Sequence, residues 1–207
     1  MKKSNELQRY DDNTRINHWA IALLFFLAGL SGLAFFHPSL YFLSNLFGGG
    51  AWSRMLHPYF GLAMMLCFLG IFFKLRRDNV LSAQDRAWLN KAGEMFKGNK
   101  EGMPPVGKYN AGQKIVFWLM AGSLLVLVVT GILFWHAWFP FFPIWARRIG
   151  VLLHAFSAVV LVLTVIVHVY AAIWVKGTTR AMTRGTVTAT WAKLNHPLWH
   201  EEVTRGK

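Results

Sequence analysis

Two histidines lie where the bilayer tolerates few ionisable side chains. Residues 149–175 contain no Asp, Glu, Lys or Arg over 27 positions, yet the run carries His154 and His168. Ionisable residues that persist inside a membrane-crossing helix mark cofactor, proton or substrate sites. The two rings are fourteen residues apart. At about 100° per residue they lie within about 40° of each other around the axis and about 21 Å apart along it. One face of one helix therefore presents an imidazole near each side of a membrane, as holding two stacked cofactors requires.

The elements that must position these rings follow from composition. The chain has 207 residues, is 55% hydrophobic, has a mean hydropathy of +0.35 and carries ten tryptophans. Four stretches, 16–36, 55–73, 115–135 and 149–175, are apolar enough to cross the bilayer, which takes about 20 residues for about 30 Å of hydrocarbon. This predicts an all-α membrane protein: a four-transmembrane-helix bundle, one domain over 1–207, with short amphipathic surface helices. The segment before the first stretch is polar and mixed in charge. The apolar run after it is too long for a signal peptide and lacks a cleavage pattern, so the first helix is expected to remain as an anchor.

Lys and Arg number 22 against nine Asp and Glu, a net charge of +13. Nineteen of the basic residues fall before the first helix, between Lys74 and Lys114, or after the fourth helix; only Arg54, Arg147 and Arg148 lie in the other two connections. The positive-inside rule then places both termini and the long middle loop in the cytoplasm, the expected setting being a bacterial inner membrane. Topology and contact with anionic lipids account for the basic excess, so nucleic-acid binding is not required. A single cysteine, Cys67, excludes an intrachain disulfide, covalent haem attachment or an iron–sulfur cluster held by this chain.

The connections carry their own patterns. The aromatic stretch in 37–54 suits the membrane interface plane, and 136–148 reads as an aromatic belt. Ser82 with Asp85 predicts the start of an amphipathic surface helix over 83–97, stopped by Pro104 and Pro105. A further short helix is expected near Val187–Leu194.

Helix direction decides which histidines share a depth. His18 opens the first helix on the inner side and His57 opens the second on the outer side. His154 is near the outer end of the fourth helix and His168 toward its inner end. Two same-depth pairs follow, His18 with His168 and His57 with His154, each able to supply both axial nitrogens of a six-coordinate haem b. A zinc site would need four clustered N or S ligands, and a proton relay would recruit Asp or Glu, of which the spans have none. The reading of a different class is a haem-free membrane anchor or transporter with structural histidines. His37, His136, His196 and His200 fall in connections or the tail and receive no role. Ala28, Gly32, Gly61, Gly122 and Gly131 suit either close packing around a flat group or ordinary small-residue helix contacts.

Five motifs carry a family resemblance: Arg15-Ile-Asn-His18-Trp, Leu56-His57-Pro-Tyr-Phe-Gly61, Gly107-Lys-Tyr-Asn-Ala-Gly-Gln-Lys114, Leu153-His154-Ala-Phe and His168-Val-Tyr-Ala-Ala-Ile-Trp-Val-Lys-Gly177. In this order, over about residues 14–200, the chain resembles the cytochrome b (gamma) subunit of respiratory, membrane-bound formate dehydrogenases. The resemblance implies a di-haem b subunit. It would receive electrons from an iron–sulfur (beta) subunit fed by a molybdenum or tungsten catalytic (alpha) subunit, and reduce menaquinone or ubiquinone at the cytoplasmic side. It implies His57 and His154 as ligands of the periplasmic haem iron and His18 and His168 as ligands of the cytoplasmic one. Asn110, Gly112 and Gln113 would line the quinone pocket. The nearest alternative is the cytochrome b subunit of a nickel–iron hydrogenase or a sulfur-compound reductase.

Overall fold

The computed structural model of the chain describes residues 6–96 and 102–205. Lys2, Lys3, Lys97, Lys100 and Lys207, which enter the charge split, lie outside the described residues, as does the end of the helix predicted over 83–97. In chain order the elements are β1 (Glu6–Gln8), α1 (Asp12–Phe36), a 3-10 helix (Pro38–Phe47), α2 (Gly50–Leu75), α3 (Ala83–Asn90) and α4 (Ala92–Phe96). There follow α5 (Ala111–Phe134), α6 (Ile144–Trp174), α7 (Thr179–Thr183), β2 (Thr186–Thr188), α8 (Ala189–Asn195) and α9 (Pro197–Arg205).

Helices α1, α2, α5 and α6 have 25, 26, 24 and 31 residues and are long and apolar enough to cross a membrane. Each begins four or five residues before its predicted apolar run. Hydropathy marks only the part that suits hydrocarbon, whereas the backbone ladder continues through a further polar turn. At the start of α1 that turn is capped by Asp11, whose Oδ1 accepts from the Thr14 N–H at 3.0 Å while Lys74 pairs with Oδ2 at 2.5 Å.

Two compact units make up the chain, one comprising Ile16–Phe72 and Leu119–Ile166. Within it all four long helices share a core: Ala28 of α1, Met64 and Phe68 of α2, Leu124 of α5 and Leu161 of α6. Leu23, Leu66, Leu125 and Leu163 of the same helices are exposed, as expected of helices solvated by lipid rather than water. Buried hydroxyls find partners inside their own helices. Ser31, Thr130 and Thr164 donate to the carbonyls of Leu27, Val126 and Val160 at 2.7, 2.6 and 2.7 Å, the local solution for a hydroxyl without water. Asn17 ties α1 to α2 by donating to the Cys67 carbonyl at 2.7 Å. A Cβ at position 70 would stand 2.9 Å from that amide, so Gly70 permits the bond. The 37–54 connection is the 3-10 helix, ended by Gly48 and Gly49 at φ of 87° and 101°, with Tyr41, Phe42 and Leu46 exposed.

The other unit comprises Met1–Arg15, Phe73–Trp118 and Val167–Lys207. Here β1 and β2 pair antiparallel with Leu7 opposite Val187, over a small core that includes Trp191 and Trp199. This corrects the expected helix near Val187–Leu194. Val187 belongs to a strand, and the helix starts at Ala189, its N-terminus held by Thr188 Oγ1 accepting from the Trp191 N–H at 3.2 Å. The predicted surface helix opens on the expected capping box of Ser82 and Asp85 but breaks at Lys91 into α3 and α4. Asn90 and Gly93 flank the break, both poor helix formers.

Candidate functional site

The structure brings His57 of α2 and His154 of α6 together, with ring centroids 6.1 Å apart and planes at 65°. Each ring is oriented from a neighbouring helix. His57 Nδ1 lies 3.1 Å from the Ala28 carbonyl and 3.0 Å from Ser31 Oγ. A carbonyl only accepts and the Ser31 hydrogen goes to Leu27, so Nδ1 must carry the proton. His154 Nδ1 lies 3.0 Å from Thr130 Oγ1, whose hydrogen goes to Val126. The Leu127 carbonyl also accepts from this ring, and a carbonyl cannot donate, so the proton sits on Nδ1 here as well. In both rings the lone pair is left on Nε2, the tautomer a metal ligand needs. Glycines sit beside both rings: a Cβ at Gly32 would stand 2.9 Å from His57 Cε1, and one at Gly131 would stand 3.6 Å from His154 Cε1. Gly61 and Gly122 differ, because a Cβ there would meet nothing within 4 Å.

His18 lies in the second turn of α1, half-buried, with its ring edge-on to Trp19 at 5.4 Å. His168 lies on α6, fourteen residues beyond His154, with its side chain exposed.

Asn110 forms the N-terminal cap of α5 together with Gln113. The Asn110 N–H donates to Gln113 Oε1 and the Gln113 N–H to Asn110 Oδ1, both at 2.9 Å. Their oxygens are thus committed to the backbone, and the side-chain NH2 groups are the ends that can meet a ligand. Gly112 packs under Trp88 of α3, where a Cβ would lie 3.6 Å from the indole. Lys114 anchors the preceding connection, reaching Asp85 at 2.8 Å and the Val80 carbonyl at 2.9 Å. Burial pushes the Asp85 carboxyl up, but hydrogen bonds from Lys114 and Ser82 outweigh it and leave the pKa below its ordinary value.

Sequence reasoning missed the neighbourhood of this segment. Arg9 is 8% exposed, and its guanidinium lies over the rings of Tyr10, Tyr109, Trp191 and Trp199 at 5.8, 5.7, 5.3 and 4.7 Å. Among the described residues no carboxylate pairs with it, so the rings supply the compensating electrostatics. His196, given no role from sequence, is 3% exposed. Burial and then the Arg9 cation push its pKa down to about 4, against an opposing hydrogen bond to Gly107. The ring is therefore neutral near pH 7. Its Nδ1–H donates to the Gly107 carbonyl at 2.8 Å, and its Nε2 faces Arg9 Nη2 at 3.5 Å.

The pattern of the prokaryotic cytochrome b561 family matches residues 9–185. The chain belongs to that family. Among its relatives, the cytochrome b556(Fdn) subunit of the nitrate-inducible formate dehydrogenase of Escherichia coli K12 is 38% identical over 100% of this chain and 96% of its own length. The cytochrome b556(fdo) subunit of formate dehydrogenase from the same strain is 40% identical over 99% of this chain and 97% of its own. The cytochrome b556 subunit of formate dehydrogenase from Haemophilus influenzae is 36% identical over 96% and 84%.

As a cytochrome b the chain binds haem b and carries electrons in a membrane. The paired histidines fit that group. Two imidazole nitrogens each about 2 Å from one metal ion place their ring centres about 6 Å apart, as His57 and His154 are. Among the described residues no three His, Cys, Asp or Glu side chains cluster as a metal site. A two-histidine site suits a metal that brings its own equatorial ligands, as haem iron does. Ser31 and Thr130, which sequence reasoning passed over, hold the paired rings in place. Their signal was present: each is a hydroxyl within a membrane-long apolar run.

Proposed function

We propose that this cytochrome b is the di-haem membrane subunit of a respiratory formate dehydrogenase in the bacterial inner membrane. It is a single integral-membrane domain with both termini cytoplasmic. The observation that carries the reading is the His57–His154 pair, oriented and tautomerically set for one iron. It occurs in a chain 38–40% identical, end to end, to formate dehydrogenase cytochrome b subunits. His57 and His154 hold the outer haem, and His18 and His168 hold the inner one. Haem b in these two places supplies one-electron carriers, one near each membrane face.

The chain's own residues set the conditions for transfer. Ser31, the Ala28 carbonyl and Thr130 fix ring orientation, and the apolar helix faces exclude water and keep the local dielectric low. Electrons arrive from an iron–sulfur (beta) subunit served by a molybdenum or tungsten catalytic (alpha) subunit, since this chain has one cysteine and cannot hold such a cluster. They leave to menaquinone or ubiquinone at the start of α5. There the Asn110 side-chain amide and the Gly112 N–H, one of the first-turn amides without an intrahelical acceptor, donate to a quinone carbonyl, with Gln113 alongside. Quinone reduction on the cytoplasmic side consumes protons there while formate oxidation releases them outside, so turnover contributes to the proton-motive force.

Two experiments bear on separate parts of the reading. Asn110→Ala in the intact complex slows formate-to-quinone turnover by about tenfold, the worth of one hydrogen bond to substrate, and weakens inhibition by a quinone-site ligand. Formate still reduces both haems in that variant. Unchanged quinone turnover removes Asn110 from the site. For orientation, reporter fusions after Lys100 and at the C-terminus read cytoplasm and one after Gly49 reads periplasm. The reverse pattern refutes the topology.

A further inference from the structure

Three consecutive carbonyls just ahead of Asn110 are each held by one of the chain's two terminal segments. The Leu198 N–H donates to the Val106 carbonyl at 3.2 Å, His196 Nδ1 to Gly107 at 2.8 Å and Arg9 Nη2 to Lys108 at 2.5 Å. The next side chain, Tyr109, is held as well, its hydroxyl accepting from Tyr10 at 2.9 Å and its ring against Arg9. Burying a guanidinium without a carboxylate is expensive, and a histidine pressed against it adds to the cost. A tail that only needed anchoring would do so with apolar side chains, as Val187, Trp191 and Trp199 already do. What Arg9 and His196 add is directional: they fix the carbonyls of 107 and 108, and hence the path of the backbone into the Asn110 cap.

We infer that Arg9 and His196 are positioning residues for quinone reduction, a two-point clamp from the N-terminal and C-terminal segments that sets the register of Gly107–Asn110 so that the Asn110 amide meets the quinone carbonyl. The inference rests on the reading of Asn110 as a quinone-site residue. The clamp is specific in chemistry. The Gly107 carbonyl requires the proton on His196 Nδ1, which leaves Nε2 as an acceptor toward Arg9 Nη2. Arg9 then spans His196 and the Lys108 carbonyl with one nitrogen while its charge rests on four aromatic faces. A lysine keeps the charge but lacks the planar fork.

The test uses the intact complex and a soluble quinone analogue, with Asn110→Ala, His196→Phe, His196→Asn and Arg9→Lys compared in parallel. His196→Phe raises the KM for the analogue about tenfold, the loss expected when one backbone-anchoring hydrogen bond is removed. Haem content and formate reduction of the haems stay at wild-type level. His196→Asn, whose amide NH2 can replace Nδ1–H, recovers most of that loss. The Asn110→Ala/His196→Phe double variant is no worse than Asn110→Ala alone, because both act on one contact. Arg9→Lys gives a smaller rise in KM and carries the test if His196→Phe does not assemble. A wild-type KM in His196→Phe or in Arg9→Lys, alongside a defect in Asn110→Ala, overturns the clamp and leaves the quinone site standing. So does a double variant whose defects multiply. No defect in Asn110→Ala overturns the quinone reading itself, and the clamp with it.

Discussion

Replacing either His57 or His154 by alanine is expected to remove the same haem and leave the other in place. The two ring centroids lie 6.1 Å apart with each Nδ1 committed to a partner on α1 or α5, so on the proposed assignment one iron would take both Nε2 atoms. Loss of either leaves an open coordination position, and haem content falls from two to one per chain, with formate-to-quinone turnover abolished. His18→Ala and His168→Ala should instead remove the other spectral component. Redox titration of the four variants separates the cases. If His57→Ala and His168→Ala delete the same component, the assignment by depth is wrong.

The second large effect is steric. Gly32 lies on α1 directly against the His57 ring, and an added Cβ would stand 2.9 Å from Cε1 and 3.4 Å from Nδ1. These atoms belong to a ring already held by Ser31 and the Ala28 carbonyl, so the ring must swing and break those bonds. Gly32→Val should therefore lose most of the outer haem, and Gly32→Ala should shift its midpoint potential. Gly131→Ala is the matched control for Gly32→Ala, because its Cβ would meet His154 at an ordinary 3.6 Å, and it should keep full haem content and an unshifted potential. An equal potential shift in Gly32→Ala and Gly131→Ala would mean that packing near the site, rather than ring position, governs the haem.

These residues differ in how far the sequence alone exposes them. The membrane spans are legible because 20-odd apolar residues have little alternative, although their helices begin a turn earlier than the hydropathy suggests. The meeting of His57 with His154 is legible as well, since successive spans run in opposite directions and positions along them leave few same-depth pairings. Ser31 and Thr130 are legible only as polar residues within apolar runs. Their partners lie 26 and 24 positions away, and no helical period links such distances. The Arg9 cage is the least legible feature. It is assembled from residues 9–10, 107–109 and 191–199, and pairing of β1 with β2 brings together segments from opposite ends of the chain. Arg9 reads locally as one more topological charge and His196 as a tail histidine, and only burial reveals that both point inward. The break at Lys91 escaped the periodicity because the apolar spacing continues across it.

The central claim is that this chain is a two-haem conduit between formate oxidation and quinone. The most direct measurement is a pyridine haemochrome assay on the complex purified with its partner subunits, followed by spectra after formate and then after a quinone analogue. The expected result is two non-covalent haem b per copy of this chain, both reduced by formate and both reoxidised by the quinone. Zero or one haem in the folded complex, or two haems that formate leaves oxidised, would contradict it.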